Sequence, residues 1–525
     1  MANRSISDVQ DILYEVVPYL NPEYYADREE IARAQKTLLH CALTCRNFAR
    51  PALNVLWSCL LSEKPLLKLL CTLGIVLEVE TEGSASKPIY TYAYQGDLRA
   101  HPQWKHFQEY ASQVRTVTLD PHIPREGSIW DIFVPQLRGD SVLPALRKAI
   151  LSPESSLPRD GDALVPPVGN DSTRGALWLI SPSVHQLSVS FPERGLDIPM
   201  SAVQEIVEIA CRMTPNLDEL RIRTPRSIDL DFLRSHERLR TVEIDNVMDT
   251  EALEPISTLP RLEHLSLLLG VASSIRLTFD HVRVLVLKGP WPHLTSFLDE
   301  TELPQLRSFS AIVTQGGPAD LASECASCFA TLSRKYTRLT TLHVKRHRPS
   351  IPFTHSRLAM EPALAGSSLS FIVHPLLALH ELRDVSLLLD GFIFPYSSSD
   401  IQSFAESWSN LESFRLEFVT QEEERAGFES LVHFARNCPL LRALHLPEME
   451  LTRDALKGVA YPEGQHPHPL RELDVAQVAF PGGLDLSHEV IRFTQRVFPR
   501  AATPLAEAHP IIVTDEESGD KSRVV

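Results

Sequence analysis

Val184-His-Gln-Leu187-Ser-Val189 and Leu217-Asp-Glu-Leu220-Arg-Ile222 are two copies of one phrase: apolar, two mostly polar residues, apolar, polar, apolar. The phrase first occurs as Val114-Arg-Thr-Val117-Thr-Leu119 and next as Leu146-Arg-Lys-Ala149-Ile-Leu151. After Ile222 the apolar triple returns at Leu239, Val242, Ile244; Leu262, Leu265, Leu267; Val282, Leu285, Leu287; and Leu306, Phe309, Ala311. It continues at Leu339, Leu342, Val344; Leu382, Val385, Leu387; Leu411, Phe414, Leu416; Leu441, Leu444, Leu446; and Leu470, Leu473, Val475. The last two apolar residues of each triple sit two apart, the period of a strand with one buried face. A coil carrying one such strand cannot bury its own apolar side, so the coils must stack into an array.

The phrase resembles the strand segment of a leucine-rich repeat. The expected fold is therefore α/β, an irregular leucine-rich-repeat solenoid over residues 111–500. Coil starts lie roughly 20 to 43 residues apart, wider than the 20 to 29 of regular leucine-rich coils. The Asn that follows the strand in regular coils is missing from most copies, so its ladder of turn bonds cannot set the register. Between phrases, apolar residues at three- and four-residue spacing predict helices over Ser201–Met213, Leu321–Tyr336, Ile401–Trp408, Phe428–Asn437 and His488–Val497. Residues 152–174, rich in Pro, Gly, Ser and Asp, read as a loop. The segment 501–525 reads as a tail, disordered from about 515 on the strength of its acidic composition.

The chain has 525 residues, 43% hydrophobic, with a formal net charge of -16. That charge repels nucleic acid and anionic membrane at long range, so neither is an expected partner. The run Lys345-Arg346-His347-Arg348 is a local exception, read as a solvated strand end. Met1 to Leu13 contains no apolar run of secretory type, and Leu66 to Val79 is too short to span a bilayer and reads as a buried helix. With eight cysteines lying mostly in helical apolar patterns, the expected compartment is cytoplasm or nucleus.

No phosphate-binding Gly loop, nucleophile elbow or zincin motif occurs, so no enzyme activity, catalytic residue, metal or cofactor is expected. Cys325-Ala-Ser-Cys328 has zinc or redox spacing, but it lies within a helical stripe without a second pair and reads as helix packing. The histidines of His466-Pro-His468-Pro lack completing ligands. Function then belongs to surfaces. The residue between the second and third apolar positions points away from the core, toward the face expected to be concave. Arg221, Glu243, Ser266, His343, Arg415, His445 and Asp474 are the nominated target-binding residues, in a lane that also holds Val286, Ser310 and Ser386. Its mixed charge suits a protein target.

Residues 1–62 follow a different grammar. Ile12, Leu13, Val16, Val17 and Leu20 make one helical apolar face, and Leu38, Leu39, Ala42, Leu43 and Cys45 a second. Phe48, Leu53, Leu56, Trp57 and Leu60 make a third, with Pro51 placed at its helix start. Residues 63–110 read as a helical linker or cap. The stretches Ile12–Leu20 and Leu38–Leu53, with Cys45-Arg-Asn-Phe48 and Leu56-Trp57, resemble an F-box, and Trp104-Lys-His-Phe107 extends the likeness to fungal F-box/leucine-rich-repeat proteins. The resemblance implies a three-helix hook binding a Skp-type adaptor and, through it, a cullin, with the solenoid presenting a target for ubiquitination. The adaptor-binding residues it implies are Leu13, Val16, Val17, Leu20, Leu43, Phe48, Leu56 and Trp57. Val9-Gln10 stands where the family has Leu-Pro, and a charged insert over Pro22–Lys36 separates the first two helices. The alternative is a non-enzymatic repeat scaffold or inhibitor whose first helices only cap the array.

Overall fold

A computed structural model describes residues 12–24, 28–81, 89–94, 96–120, 129–152, 172–191, 199–271, 276–314, 321–346, 368–420, 425–451, 467–480 and 487–501. The tail beyond 501, almost all of the loop 152–174, Val9-Gln10, His347-Arg348 and His466 lie outside the described residues. The chain divides into two compact units, 1–247 with 252–262, and 248–251 with 263–525.

In the first unit six strands run parallel in sequence order: β1 (Cys59–Leu60), β2 (Thr116–Leu119), β3 (Lys148–Leu151), β4 (Gln186–Ser190), β5 (Glu219–Arg223) and β6 (Thr241–Asp249). The second holds eight in the same arrangement: β7 (His264–Val271), β8 (Val284–Gly289), β9 (Ser308–Val313), β10 (Thr341–Arg346), β11 (Asp384–Phe394), β12 (Ser413–Thr420), β13 (Ala443–Leu446) and β14 (Glu472–Val475). Thirteen strands are the thirteen phrases. β1 is additional, and no periodicity could reveal a strand of two residues.

Every residue of the thirteen apolar triples is buried. The central positions stack in register, Val117 on Ala149, Leu187, Leu220 and Val242 in one unit. In the other, Leu265 stacks on Leu285, Phe309, Leu342, Val385, Phe414, Leu444 and Leu473. A slip of one residue on any strand would turn its apolar set to water, so the phrase itself enforces this register.

A backbone device reinforces it. The carbonyl after the first apolar residue accepts from two successive N–H groups of the next coil. Arg147 O takes His185 N at 2.8 Å and Gln186 N at 3.0 Å, and Arg307 O takes Thr340 N at 2.8 Å and Thr341 N at 3.1 Å. The same pattern recurs at Arg115, His185, Asp218, Glu263, Arg283, Thr340, Arg383, Glu412 and Arg442. These shared carbonyls satisfy donors at the strand entrances that would otherwise be lost on burial, where the regular repeat would use Asn.

Helices fill the returns. Met200–Met213, Leu321–Lys335, Ser398–Ser407 and Ser487–Val497 lie within a few residues of their predicted bounds, and 428–437 forms as a 3-10 turn followed by Val432–Asn437. Each stripe faces the core: Val203, Ile206, Val207 and Ala210 of the first are buried. Helix exit and strand entry share a turn, with Leu217 N bonded to Thr214 O and Leu441 N to Cys438 O. Pro215 and Pro439 follow those turn starts, where proline cannot extend a helix. Lys335 donates to the carbonyls of Leu298, Asp299 and Thr301, bringing a cation to the negative end of helix Trp291–Glu300.

Three expectations for the start of the chain are corrected. The third hook helix, Arg46–Ser58, begins ahead of Pro51, because Phe48 N and Ala49 N already bond Cys45 O, so the proline lies inside the helix. The charged insert is helical from Arg28, within helix Arg28–Thr44. The linker is only partly helical: after Lys64–Thr72 it forms an antiparallel hairpin, Leu77–Thr81 with Ile89–Ala93, before helix Trp104–Ala111. The chain from Leu77 to Val79, read as the end of a buried helix, is therefore strand. Among the described residues no helix is long and apolar enough to cross a membrane.

Leu342, fully buried on β10, tests the stacked core. Leu342→Ala is expected to lower stability by about 2–5 kcal/mol. Ser310→Ala, on the opposite face of neighbouring β9, should stay within about 0.5 kcal/mol. Urea unfolding midpoints of the two variants check this.

Candidate interaction surfaces

The nominated lane is a physical row. Backbone pairing sets Arg221 directly beside Glu243, and in the second unit places Ser266, Val286, Ser310, His343, Ser386, Arg415, His445 and Asp474 side by side across eight strands. Six of the seven nominated residues are exposed or half-exposed. Ser266 is only 3% exposed, and its short side chain is not presented to a partner.

The charges on this row are largely met within the face. Arg221 Nε lies 2.6 Å from Glu219 Oε1 and 3.6 Å from Glu243 Oε2. His343 Nε2 lies 3.0 Å from Asp384 Oδ2, a diagonal neighbour on β11. Arg415 Nε donates to Glu417 at 2.6 Å, and His445 Nδ1 lies 3.3 Å from Asp474 Oδ2. Sequence reasoning missed Glu219 and Asp384. Both occupy the position two before the lane, on the same face of the strand, so period-two alternation carried the signal. Exposed pairs of this kind contribute about 0–1 kcal/mol each. They orient the row more than they stabilise it.

The hydrogen bond to Asp384 raises the His343 pKa above the ordinary histidine value against partial burial, and the same bond lowers that of Asp384. The histidine's contribution is complete below its unfolded value and lost as pH rises through the raised folded one. The aspartate's is complete above its unfolded value and lost as pH falls through the lowered folded one. The pair is therefore strongest between the two ranges.

In the hook, the single predicted face of the first helix divides in two. Leu13 and Val17 are buried and Leu20 is half-buried, with Val17 packed among Leu38, Ala52, Cys41, Ala42, Val55 and Leu56. Ile12, Val16 and Tyr19 are exposed at 56%, 55% and 77%. Helix Arg28–Thr44 divides likewise, with Ala34 and Leu38 buried and Leu39 and Leu43 exposed. Phe48, Leu56 and Trp57 are half-buried, and the Trp57 ring packs on Tyr110 with centroids 5.1 Å apart. Of the eight nominated adaptor residues, Val16 and Leu43 are exposed. Leu13 and Val17 are internal core. Tyr14, Tyr19 and Tyr24 are exposed but fall outside the apolar period that selected the others.

The hook is tied to the first coil. Arg115 N donates to Ser58 O at 2.9 Å, and β1 pairs with β2 through Cys59 with Thr116 and Leu60 with Val117. Just beyond, the Trp130 indole N–H donates to buried Glu63 at 2.8 Å.

Cys325 and Cys328 are fully buried on helix Leu321–Lys335, and burial pushes the Cys328 thiol up to about 12. Both are held as thiols at neutral pH, a poor state for metal ligation or redox exchange. Among the described residues no group of three or more His, Cys, Asp or Glu side chains is placed to hold a metal. His468 is buried, with Nε2 2.9 Å from the Cys438 carbonyl, and burial lowers its pKa. Arg346 places its guanidinium over the Phe392 ring, 5.8 Å from the centroid.

No protein-family model matches the sequence, and no curated protein matches it. Among solved structures the chain is similar to a leucine-rich-repeat protein of Leptospira interrogans, at 11% identity and a TM-score of 0.31, over 84% of this chain and 98% of that one. A Bacteroides fragilis protein is similar at 10% identity and a TM-score of 0.23, over 53% and 62%. Internalin C2 of Listeria monocytogenes is similar at 11% identity and a TM-score of 0.19, over 57% and 81%. At these scores the likenesses carry no weight of their own. The leucine-rich-repeat character rests on this chain's thirteen phrases, stacked in register within each unit.

NMR titration of His343 is expected to give a midpoint above about 6.5, returning toward that value in Asp384→Asn. An unchanged midpoint would show that the pair is not populated in solution.

Proposed function

We propose that this protein is the substrate-recognition subunit of a cullin-RING ubiquitin ligase, its hook binding a Skp-type adaptor and its repeat array a target protein. One observation carries the reading. Of the fourteen exposed large apolar side chains among the described residues, seven lie between residues 12 and 43: Ile12, Tyr14, Val16, Tyr19, Tyr24, Leu39 and Leu43. Scattered apolar residues are ordinary on a surface, but this density in a segment of F-box-like sequence is what a docking face requires. Large apolar and aromatic groups of this type supply most of the binding energy once desolvated.

The protein on this reading performs no bond chemistry. It raises the effective concentration of a target lysine beside the transfer machinery. The target face is the polar row, whose mixed, pre-paired charges favour selection by complementarity over simple charge attraction. Attachment of the hook to β2 supports the same role, since it fixes the hook to the first coils of its own unit. It equally favours the second reading, a scaffold or inhibitor in which the hook caps the first coil, because terminal coils must shield the core.

Titration of the full chain with purified Skp-type adaptor separates the two. Val16→Asp with Leu43→Asp, both at exposed positions, is expected to weaken binding by tenfold or more while the melting temperature stays unchanged. Removing residues 1–62 would be a poor control, because it also strips β1 from the edge of β2. A natively folded full chain without adaptor affinity would leave the scaffold reading.

A further inference from the structure

The first unit contains a groove whose charge opposes that of the whole chain. Two adjoining cavities of about 800 and 670 Å³ share Ser58 and Arg115 and run from the hook helix Arg46–Ser58 and helix Trp104–Ala111 to the entrances of β2 to β5. Arg46 and Arg50 enter from the hook, Arg115 and Arg147 from the residues preceding β2 and β3, and Lys148 from β3 itself. Against the four arginines, of which Arg115 also donates from Nη1 to the Ala145 carbonyl at 3.1 Å, stand two carboxylates, Glu109 and Asp218. Each is engaged by a histidine of the same lining, His106 with Glu109 at 3.3 Å and His185 with Asp218 at 3.1 Å.

This clustering sets like charges side by side. Arg115 and Arg147 occupy equivalent positions on stacked coils, joined by the bond from Arg147 N to Arg115 O at 2.8 Å. Neighbouring strands lie about 4.8 Å apart, and like charges opposite one another on neighbouring strands are destabilising. A chain of net charge -16 has carboxylates to spare for this surface, yet the lining is cationic. An anionic occupant relieves the repulsion. Because exposed charges are screened over about 10 Å at 0.1 M salt, the groove attracts anions despite the overall negative charge, and its walls concentrate the field. Guanidinium groups bind carboxylates in bidentate fashion, which adds geometry to attraction.

We propose that this groove binds an acidic peptide segment, rich in Asp and Glu, of a partner protein. The site adjoins the polar row at the strand entrances, since Gln186 of its lining pairs with Glu219, two residues before Arg221 on the same strand face, and the proposal holds whether or not the hook binds an adaptor.

The test is fluorescence anisotropy of the full-length chain with a labelled twelve-residue Glu-rich peptide, across salt concentration. Binding is expected at low salt and should weaken steeply as salt rises. Arg46→Glu, Arg50→Glu and Arg147→Glu together should weaken it by more than tenfold. Arg261→Glu, Arg276→Glu and Arg338→Glu together make the same change in net charge at exposed positions elsewhere and should weaken it less than threefold. Melting curves establish that both triple variants fold. Absence of binding by the unaltered chain, or equal loss in both variants, would overturn the proposal. So would tighter binding of a polyuridine oligonucleotide of equal charge, which would make the groove a nucleic-acid site.

Discussion

Each unit depends on keeping every coil in register with the next. Three apolar residues per phrase are buried in the stack, and a one-residue slip would expose two of them while burying polar neighbours. Fully burying a Leu or Val is worth about 1.5–3 kcal/mol, so each strand carries several kcal/mol of register specificity. The shared carbonyl at each strand entrance fixes the same alignment through the backbone, independently of side-chain identity. This explains how coil spacing can vary so widely without an Asn ladder. The strand segment sets the register, and the returns absorb the variation in length.

That constraint also makes the surfaces. Once strands are in register, every second residue falls into a row, and substitutions along a row alter recognition without touching the core. His445 beside Asp474 and Arg221 beside Glu243 are direct consequences of register. The same rule stacks Arg115 on Arg147 and so creates the cationic groove. At the start of the array, β1 continues the stack by two residues, which makes the hook part of the sheet rather than a tethered module.

Much of this was legible in the sequence because period-two and period-3.6 patterns are local. The thirteen strands, the five long returns and the polar lane could each be read from a window of a few residues. What could not be read depended on distant partners. Cys59–Leu60 is a strand only because Thr116–Val117 lies beside it, and Asp384 meets His343 across a return of about forty residues. In the first helix, apolar residues at i, i+1, i+4, i+5 and i+8 cover two adjacent stripes. Periodicity alone could not say that Leu13 and Val17 turn inward while Ile12 and Val16 turn out. Pro51 misled for a related reason: proline favours a helix start, but the Cys45 carbonyl had already nucleated the helix.

The hook and the first coils of its own unit form one continuous hydrogen-bonded structure through β1. Hydrogen exchange followed by mass spectrometry on the full chain tests this most directly, using peptides that report Ser58–Leu61 and the Arg115 amide. These amides are expected to exchange as slowly as those of Ala149–Leu151 in β3. Exchange at open-chain rates there, with Thr116–Leu119 still protected on its β3 side, would contradict it and make the hook a separately moving domain.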